Sequence, residues 1–230
     1  MKRKHSVDYS YESKEIAKNR ERLIVYNENK EPIAFISKER LHDLDKIKLK
    51  EGVSPWIECV ICFVVDPKDK KVAVQFRRDY ENGLGKLDIC SGIVKDGEIN
   101  KTAMMRGLRE EMQMKNYENL QIADKLAFLG NLKSKFSDNE DSKESNLHCF
   151  TAVYAFLVDD KKSINPNEES IQKIKWINLE DVKNAIRTSM FRFAYTEDNK
   201  ALFEKIFENL DSLIENRKHM GEEEYLRDWE

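Results

Sequence analysis

Apolar and polar positions along the chain fall into two periods. Residues 56–66 (WIECVICFVVD) are β-branched and almost continuously apolar, the pattern of a buried strand. Upstream, 22–26 and 33–37 flank a polar turn ending in Pro32 and read as strand, turn, strand. Downstream, Asp66 to Lys70 closes the apolar strand. Residues 71–76 then alternate, with Val72, Val74 and Phe76 inward against Lys71, Ala73 and Gln75, which predicts a second hairpin. Residues 81–85 read as a loop and 87–90 as a short strand. Residues 102–114 predict a helix whose Met105, Leu108 and Met112 share one stripe. Strands follow at 125–132, 147–158 and 171–177, with an exposed polar loop at 134–145. Helical spacing returns at 179–188 and 197–216, the second with Leu202, Ile206, Leu210, Leu213 and Ile214 as its buried stripe. Residues 1–20 read as a charged tail or surface helix, and 220–230 as an acidic end.

Composition narrows the classes. The chain has 230 residues, enough for one domain with extensions. With 40% hydrophobic residues it can build a core, while 36% charged residues make its surface very polar. Forty Lys+Arg against 43 Asp+Glu leave a net charge of −3, which removes any global argument for a nucleic-acid partner. The longest apolar stretch, Cys59 to Val65, is far short of the ~20 residues of a membrane span. The start, Met1-Lys2-Arg3-Lys4-His5, continues into polar residues and is not a secretory signal. The expectation is a cytoplasmic protein without a membrane partner. Cys59 and Cys62 form a C-x-x-C, but on a strand residues three apart face opposite ways, so a shared metal or disulfide is not expected. All four cysteines, with Cys90 and Cys149, read as reduced and buried.

Chemistry concentrates where the glycines do. Of 8 glycines, Gly83, Gly85, Gly92, Gly97 and Gly107 fall within one short segment, which suggests unusual backbone geometry there. A helix bearing Arg106, Arg109, Glu110 and Glu111 follows. A glycine loop feeding adjacent carboxylates is the composition of a Mg²⁺ or Mn²⁺ site with phosphate. In register, Gly92, Glu98, Arg106, Leu108, Glu110, Glu111 and, loosely, Met114 resemble the Nudix hydrolase signature G-x5-E-x7-R-E-U-x-E-E-x-G-U, with U a bulky apolar residue. Arg106 and Glu110, four apart on a helix, would pair and orient a carboxylate.

The resemblance implies an α+β fold, an α/β/α sandwich with a mixed sheet between helices. It covers 53–188, preceded by the tail (1–20) and an N-terminal hairpin extension (21–52) similar to the isopentenyl-diphosphate isomerase-like branch. A C-terminal helical extension (189–230) follows. It further implies a small-molecule diphosphate substrate of the nucleoside-diphosphate-X type, Mg²⁺ (or Mn²⁺) held by Glu110, Glu111 and the Gly92 carbonyl, and orienting roles for Glu98 and Arg106. Homodimers are common among such proteins.

Two positions depart from the signature. Gly107 stands where the motif has the first glutamate of R-E-U-x-E-E, removing a carboxylate from the face of Glu110 and Glu111. Gln113 replaces the glycine that ends the helix. A base would then have to come from elsewhere: Asp138, Glu140, Asp141 and Glu144, unless these simply solvate the polar loop, or Glu168 and Glu169, whose spacing is off by one residue. Arg77 and Arg78 read either as partners of substrate phosphates or as surface arginines. His148 reads as a core or edge residue. Phe191, Phe193, Tyr195 and Phe203 either stack a base or, more simply, pack helices. The three functional readings are a metal-dependent diphosphate hydrolase, a catalytically weak binder of a nucleotide derivative, and an isopentenyl-diphosphate isomerase. The last conflicts with Ser91 and Ile93, which flank Gly92 where the isomerase has cysteine and histidine, and with Cys90, expected to face away.

Overall fold

Eleven residues, Trp56–Asp66, form the strand around which everything else is arranged (β3). A computed structural model describes residues 21–41, 54–77, 87–114, 119–137, 146–166, 171–193 and 195–219. In β3 both faces are inside: Val60 through Val65 are all fully buried. Such a strand must be covered by a layer on each side, which is the physical meaning of its unbroken apolar run.

One edge of β3 pairs in parallel with β7 (Asn146–Leu157), from Trp56 opposite His148 to Val65 opposite Leu157. Antiparallel β6 (Leu126–Ser137) lies outside β7. The other edge takes three strands in succession. The hairpin of β1 (Arg22–Tyr26) and β2 (Pro32–Ser37) joins at Trp56. Then β5 (Cys90–Ile93) pairs with Cys59 to Cys62. Last, β4 (Lys71–Arg77) pairs only through Val72 and Lys71, then leaves β3 to run along β8 (Ile171–Asn178). A single bridge, Gln75 to Asp88, spans the gap that opens between β4 and β5.

Helices α1 (Asn100–Met112) and α2 (Asn119–Lys125) cover one face, where Ala103, Met104, Leu108, Met112 and Ile122 pack on Val60, Cys62 and Val64. Helices α3 (Leu179–Arg187) and α4 (Lys200–His219) cover the other, packing on Ile61, Phe63 and Val65. The fold is therefore the expected α+β sandwich with a mixed sheet between helices. A third, smaller core joins Leu23, Val25 and Ile36 of the hairpin to Ile57, Cys59 and Cys149.

Several expectations need correction. Ala73 and Gln75 are fully buried, because α1 covers the face that alternation assigned to solvent. Residues 134–137 belong to β6, held by pairing with β7. Leu202 is 45% exposed; Phe203 takes its place with Ile206, Phe207, Leu210, Leu213 and Ile214, the set that a 3.6-residue period superimposes. Helix α2 was not expected, being only seven residues long. The expected Met105 is half-buried, and Met104 is the residue sealed in the core. All four cysteines are buried thiols outside any disulfide, with Cys59 beside Cys149 and Cys62 on the opposite face. Phe191, Phe193 and Phe203 are core residues, so these rings pack helices. Residues 1–20 and 220–230 lie outside the described residues.

Candidate functional site

The turn before α1 forms the base of the site. Gly97 adopts φ +83°, a left-handed conformation that side chains disfavour, so here one of the clustered glycines meets a backbone demand. Gly92 and Gly107 do not, and Gly83 and Gly85 lie outside the described residues. The turn brings Glu98 back onto its own start, where its carboxylate accepts the Lys95 backbone N–H at 3.0 Å.

Arg106 then clamps turn, strand and helix together. Its Nε and Nη2 donate to the two Glu98 oxygens at 2.8 and 2.9 Å, Nη2 also donates to the Ile93 carbonyl at 2.9 Å, and Nη1 reaches Glu110 at 3.1 Å. The Arg106 hydrogen bond holds the Glu98 carboxyl below its usual range, and Glu98 in turn raises Arg106. With side chains only 18% and 20% exposed, this is a half-buried, bidentate pair. Its carboxylate is committed to the framework, and what it fixes, through Arg106, is the position of Glu110.

Glu111, one residue further round the helix, turns into the gap between β4 and β5. Its Oε2 accepts the Ser91 backbone N–H at 3.1 Å and the Gln75 amide Nε2 at 3.0 Å. Glu110 stays exposed, tethered to Arg106. Gly107, a turn before Glu111, faces the same wall. A Cβ there would lie 3.5 Å from the Ser91 carbonyl, 3.9 Å from Cys90 Sγ and 3.3 Å from the Met104 methyl. The carboxylate that the signature places at 107 would thus project beside Glu111 and the β5 carbonyls.

Other residues meet here that the sequence did not single out. Cys90 turns toward α1 rather than away, and burial pushes its thiol well up, with the nearby Glu111 and Asp88 charges adding to this. Asp88 is 1% exposed, accepts the Ile89 N–H at 2.9 Å and lies 3.6 Å from Arg192 Nη1. Gln75 pairs with Asp88 through the backbone, and its Oε1 is buried with no hydrogen-bond partner. Asp88, a carboxylate inside the apolar run Leu87 to Cys90, was the readable signal; Gln75 had none.

The donor chemistry fits a hard divalent cation at the level of one or two carboxylates. Glu111 lies against β5 through the Ser91 N–H, and Glu110, its neighbour on α1, is exposed beside it; both offer oxygen donors. Among the described residues, no three His, Cys, Asp or Glu side chains are grouped to hold a metal by themselves, so substrate phosphate and water would complete the shell.

Of the other expected residues, Arg77 ends β4, two positions past Gln75. Arg78, the loop acids Asp138, Glu140, Asp141 and Glu144, and Glu168 and Glu169 lie outside the described residues. His148 packs edge-on to Trp56, a half-buried strand residue as expected. On the same face of β3 as Val60 and Cys62, Trp56 stacks on Phe150 at 4.9 Å, and Lys133 Nζ lies 5.4 and 5.6 Å from the two rings.

The family described as the NUDIX domain matches residues 55–196. No curated protein matches the chain. Among solved structures, one from Deinococcus radiodurans is 22% identical, covering 81% of this chain and 99% of that one with a TM-score of 0.49. A bifunctional NMN adenylyltransferase/ADP ribose pyrophosphatase from Francisella tularensis, complexed with AMP and a Mn ion, is 19% identical over 74% of this chain and 46% of its own (TM-score 0.47). A MutT protein from Methanosarcina mazei Go1 is 14% identical over 72% and 96% (TM-score 0.43).

Proposed function

The chain belongs to the Nudix hydrolase superfamily, and from that premise we propose that it cleaves the diphosphate linkage of a nucleoside diphosphate joined to a further group, with Mg²⁺ or Mn²⁺. The observation that carries this reading is the Glu98–Arg106–Glu110 clamp, which fixes Glu110 on the exposed side of α1, next to Glu111, which the Ser91 N–H fixes at β5. Glu110, Glu111 and the Gly92 carbonyl would hold the cation. When bound, it neutralises the bridging phosphates and makes water a better nucleophile. Glu98 and Arg106 act by positioning: they keep Glu110 turned to the cleft without touching substrate. Ser91 N–H and Gln75 do the same for Glu111. Arg77 and Arg78, at and beyond the end of β4, are proposed to meet the phosphates.

A nucleoside moiety is supported by the aromatic platform of Trp56 and Phe150. It lies on the α1 face, with the Lys133 ammonium beside it. Bases stack on such rings and anions are drawn to such a lysine. No described helix is long and apolar enough to cross a membrane. A cytoplasmic location and a homodimer belong to the proposal.

The test is turnover of a panel of nucleoside triphosphates, nucleotide sugars, ADP-ribose and dinucleoside polyphosphates with Mg²⁺ or Mn²⁺, with Glu111→Gln alongside. Cation-dependent cleavage that this variant loses supports the reading. A second reading, a binder without turnover, is favoured by Gly107, where a carboxylate is missing. It predicts ligand-dependent thermal stabilisation with no product.

A further inference from the structure

The carboxylate missing at Gly107 raises the question of what else on the wall facing α1 offers oxygen to a cation. Gln75 on β4 is fully buried, yet only half of its amide is satisfied. Its Nε2 donates to Glu111 Oε2 at 3.0 Å and lies 3.8 Å from Met112 Sδ. Its Oε1 has no hydrogen-bond partner. The amide cannot turn over to relieve this, because the oxygen would then face the Glu111 carboxylate, acceptor against acceptor. A buried, unpaired carbonyl oxygen is costly and rare unless a ligand or water uses it. This one is bonded to the same carbon as the nitrogen that grips Glu111, so it lies within the site.

We propose that Gln75 is a cation-positioning residue: its nitrogen fixes Glu111, and its oxygen serves the hydrated divalent cation in place of the carboxylate absent at Gly107. Amide carbonyls are hard oxygen donors of the kind Mg²⁺ and Mn²⁺ accept, but neutral ones. The site is therefore one negative charge poorer than the signature's and binds its cation more weakly until substrate phosphates add theirs. This inference rests on the cation-dependent reading above.

Direct Mn²⁺ titration of the full-length protein, followed by electron paramagnetic resonance without substrate, tests it. Gln75→Met keeps the length and apolar packing of the side chain and removes both polar atoms. It is expected to weaken Mn²⁺ binding at least tenfold, and adding Gly107→Glu to the same chain is expected to restore it. Gln75→Glu, which keeps an oxygen donor and adds charge, is expected to tighten Mn²⁺ at least threefold and to lower the cation-free melting temperature, with Mn²⁺ restoring it. Gln75→Met binding Mn²⁺ within twofold of wild type overturns the assignment. If that variant fails to fold, Gln75→Glu decides, and unchanged or weaker binding overturns it. A wild-type protein that binds no Mn²⁺ overturns the cation-dependent reading itself, a separate outcome.

Discussion

Replacing Gly107 by alanine should stabilise the protein while leaving cation binding unchanged. Gly107 lies in the interior of α1, where glycine costs about 1 kcal/mol relative to alanine because the unfolded chain loses more freedom. The added methyl would meet the Ser91 carbonyl at 3.5 Å and Cys90 Sγ at 3.9 Å, ordinary contacts. The one tight approach, 3.3 Å, is to the Met104 methyl, the far end of a flexible side chain. Shifting that end a few tenths of an ångström offsets part of the gain, leaving about 0.5–1 kcal/mol of stabilisation, or roughly 2–4 °C in Tm per kcal/mol for a chain of this size. Urea unfolding with an unchanged m-value is the assay. A loss of 1 kcal/mol or more would refute the reasoning, by showing that the space above Cys90 and Ser91 has to stay open. Gly107→Glu separates stability from function. It should tighten Mn²⁺ tenfold or more, about 1.4 kcal/mol, and destabilise the cation-free chain by crowding a second carboxylate toward Glu111.

Glu98→Gln should cost about 1.5–3 kcal/mol at neutral pH, the range for hydrogen bonds to charged groups. Because Arg106 lowers the folded pKa of Glu98, its contribution is complete above the unfolded value near pH 4.3 and is lost as pH falls through the folded one. The wild-type advantage in urea midpoints should therefore shrink below about pH 4.5, and an advantage that persists there would contradict the clamp. Gln113 ends α1 in the left-handed region, φ 43° and ψ 47°, so the turn survives without the signature's glycine. Gln113→Gly should stabilise by about 1 kcal/mol, and no gain in Tm would mean that the side chain offsets its strain. Trp56→Ala should raise KM for a nucleoside diphosphate substrate about fivefold or more, with kcat within twofold, since base–aromatic stacking is worth about 1–3 kcal/mol; an unchanged KM would remove the platform from the substrate's path.

What was legible in the chain was local. Strand β3 and the hairpins follow from runs and turns of a few residues, and the spacing of Glu98, Arg106, Glu110 and Glu111 within one turn and one helix foretells the clamp that α1 displays. Alternation failed at β4 for a physical reason: it separates inside from outside only when one face meets water. In a sheet covered on both faces, Gln75 is as buried as Val74. The unbroken run Val60 to Val65 announced that double covering, and extending it to the neighbouring strand would have turned Gln75 inward. The contact that matters, Gln75 to Glu111, joins positions 36 residues apart on different elements, beyond the reach of any contiguous motif. This bears on how Gly107 should be weighed. A signature scores each position alone, so a missing glutamate counts as a lost ligand. The fold brings to the same wall a buried amide with an unused oxygen and a neutral thiol beside Glu111. On the proposal that Gln75 serves the cation, the carboxylate absent from the helix is answered across the cleft by β4, and the site is to be weighed as α1, β4 and β5 together.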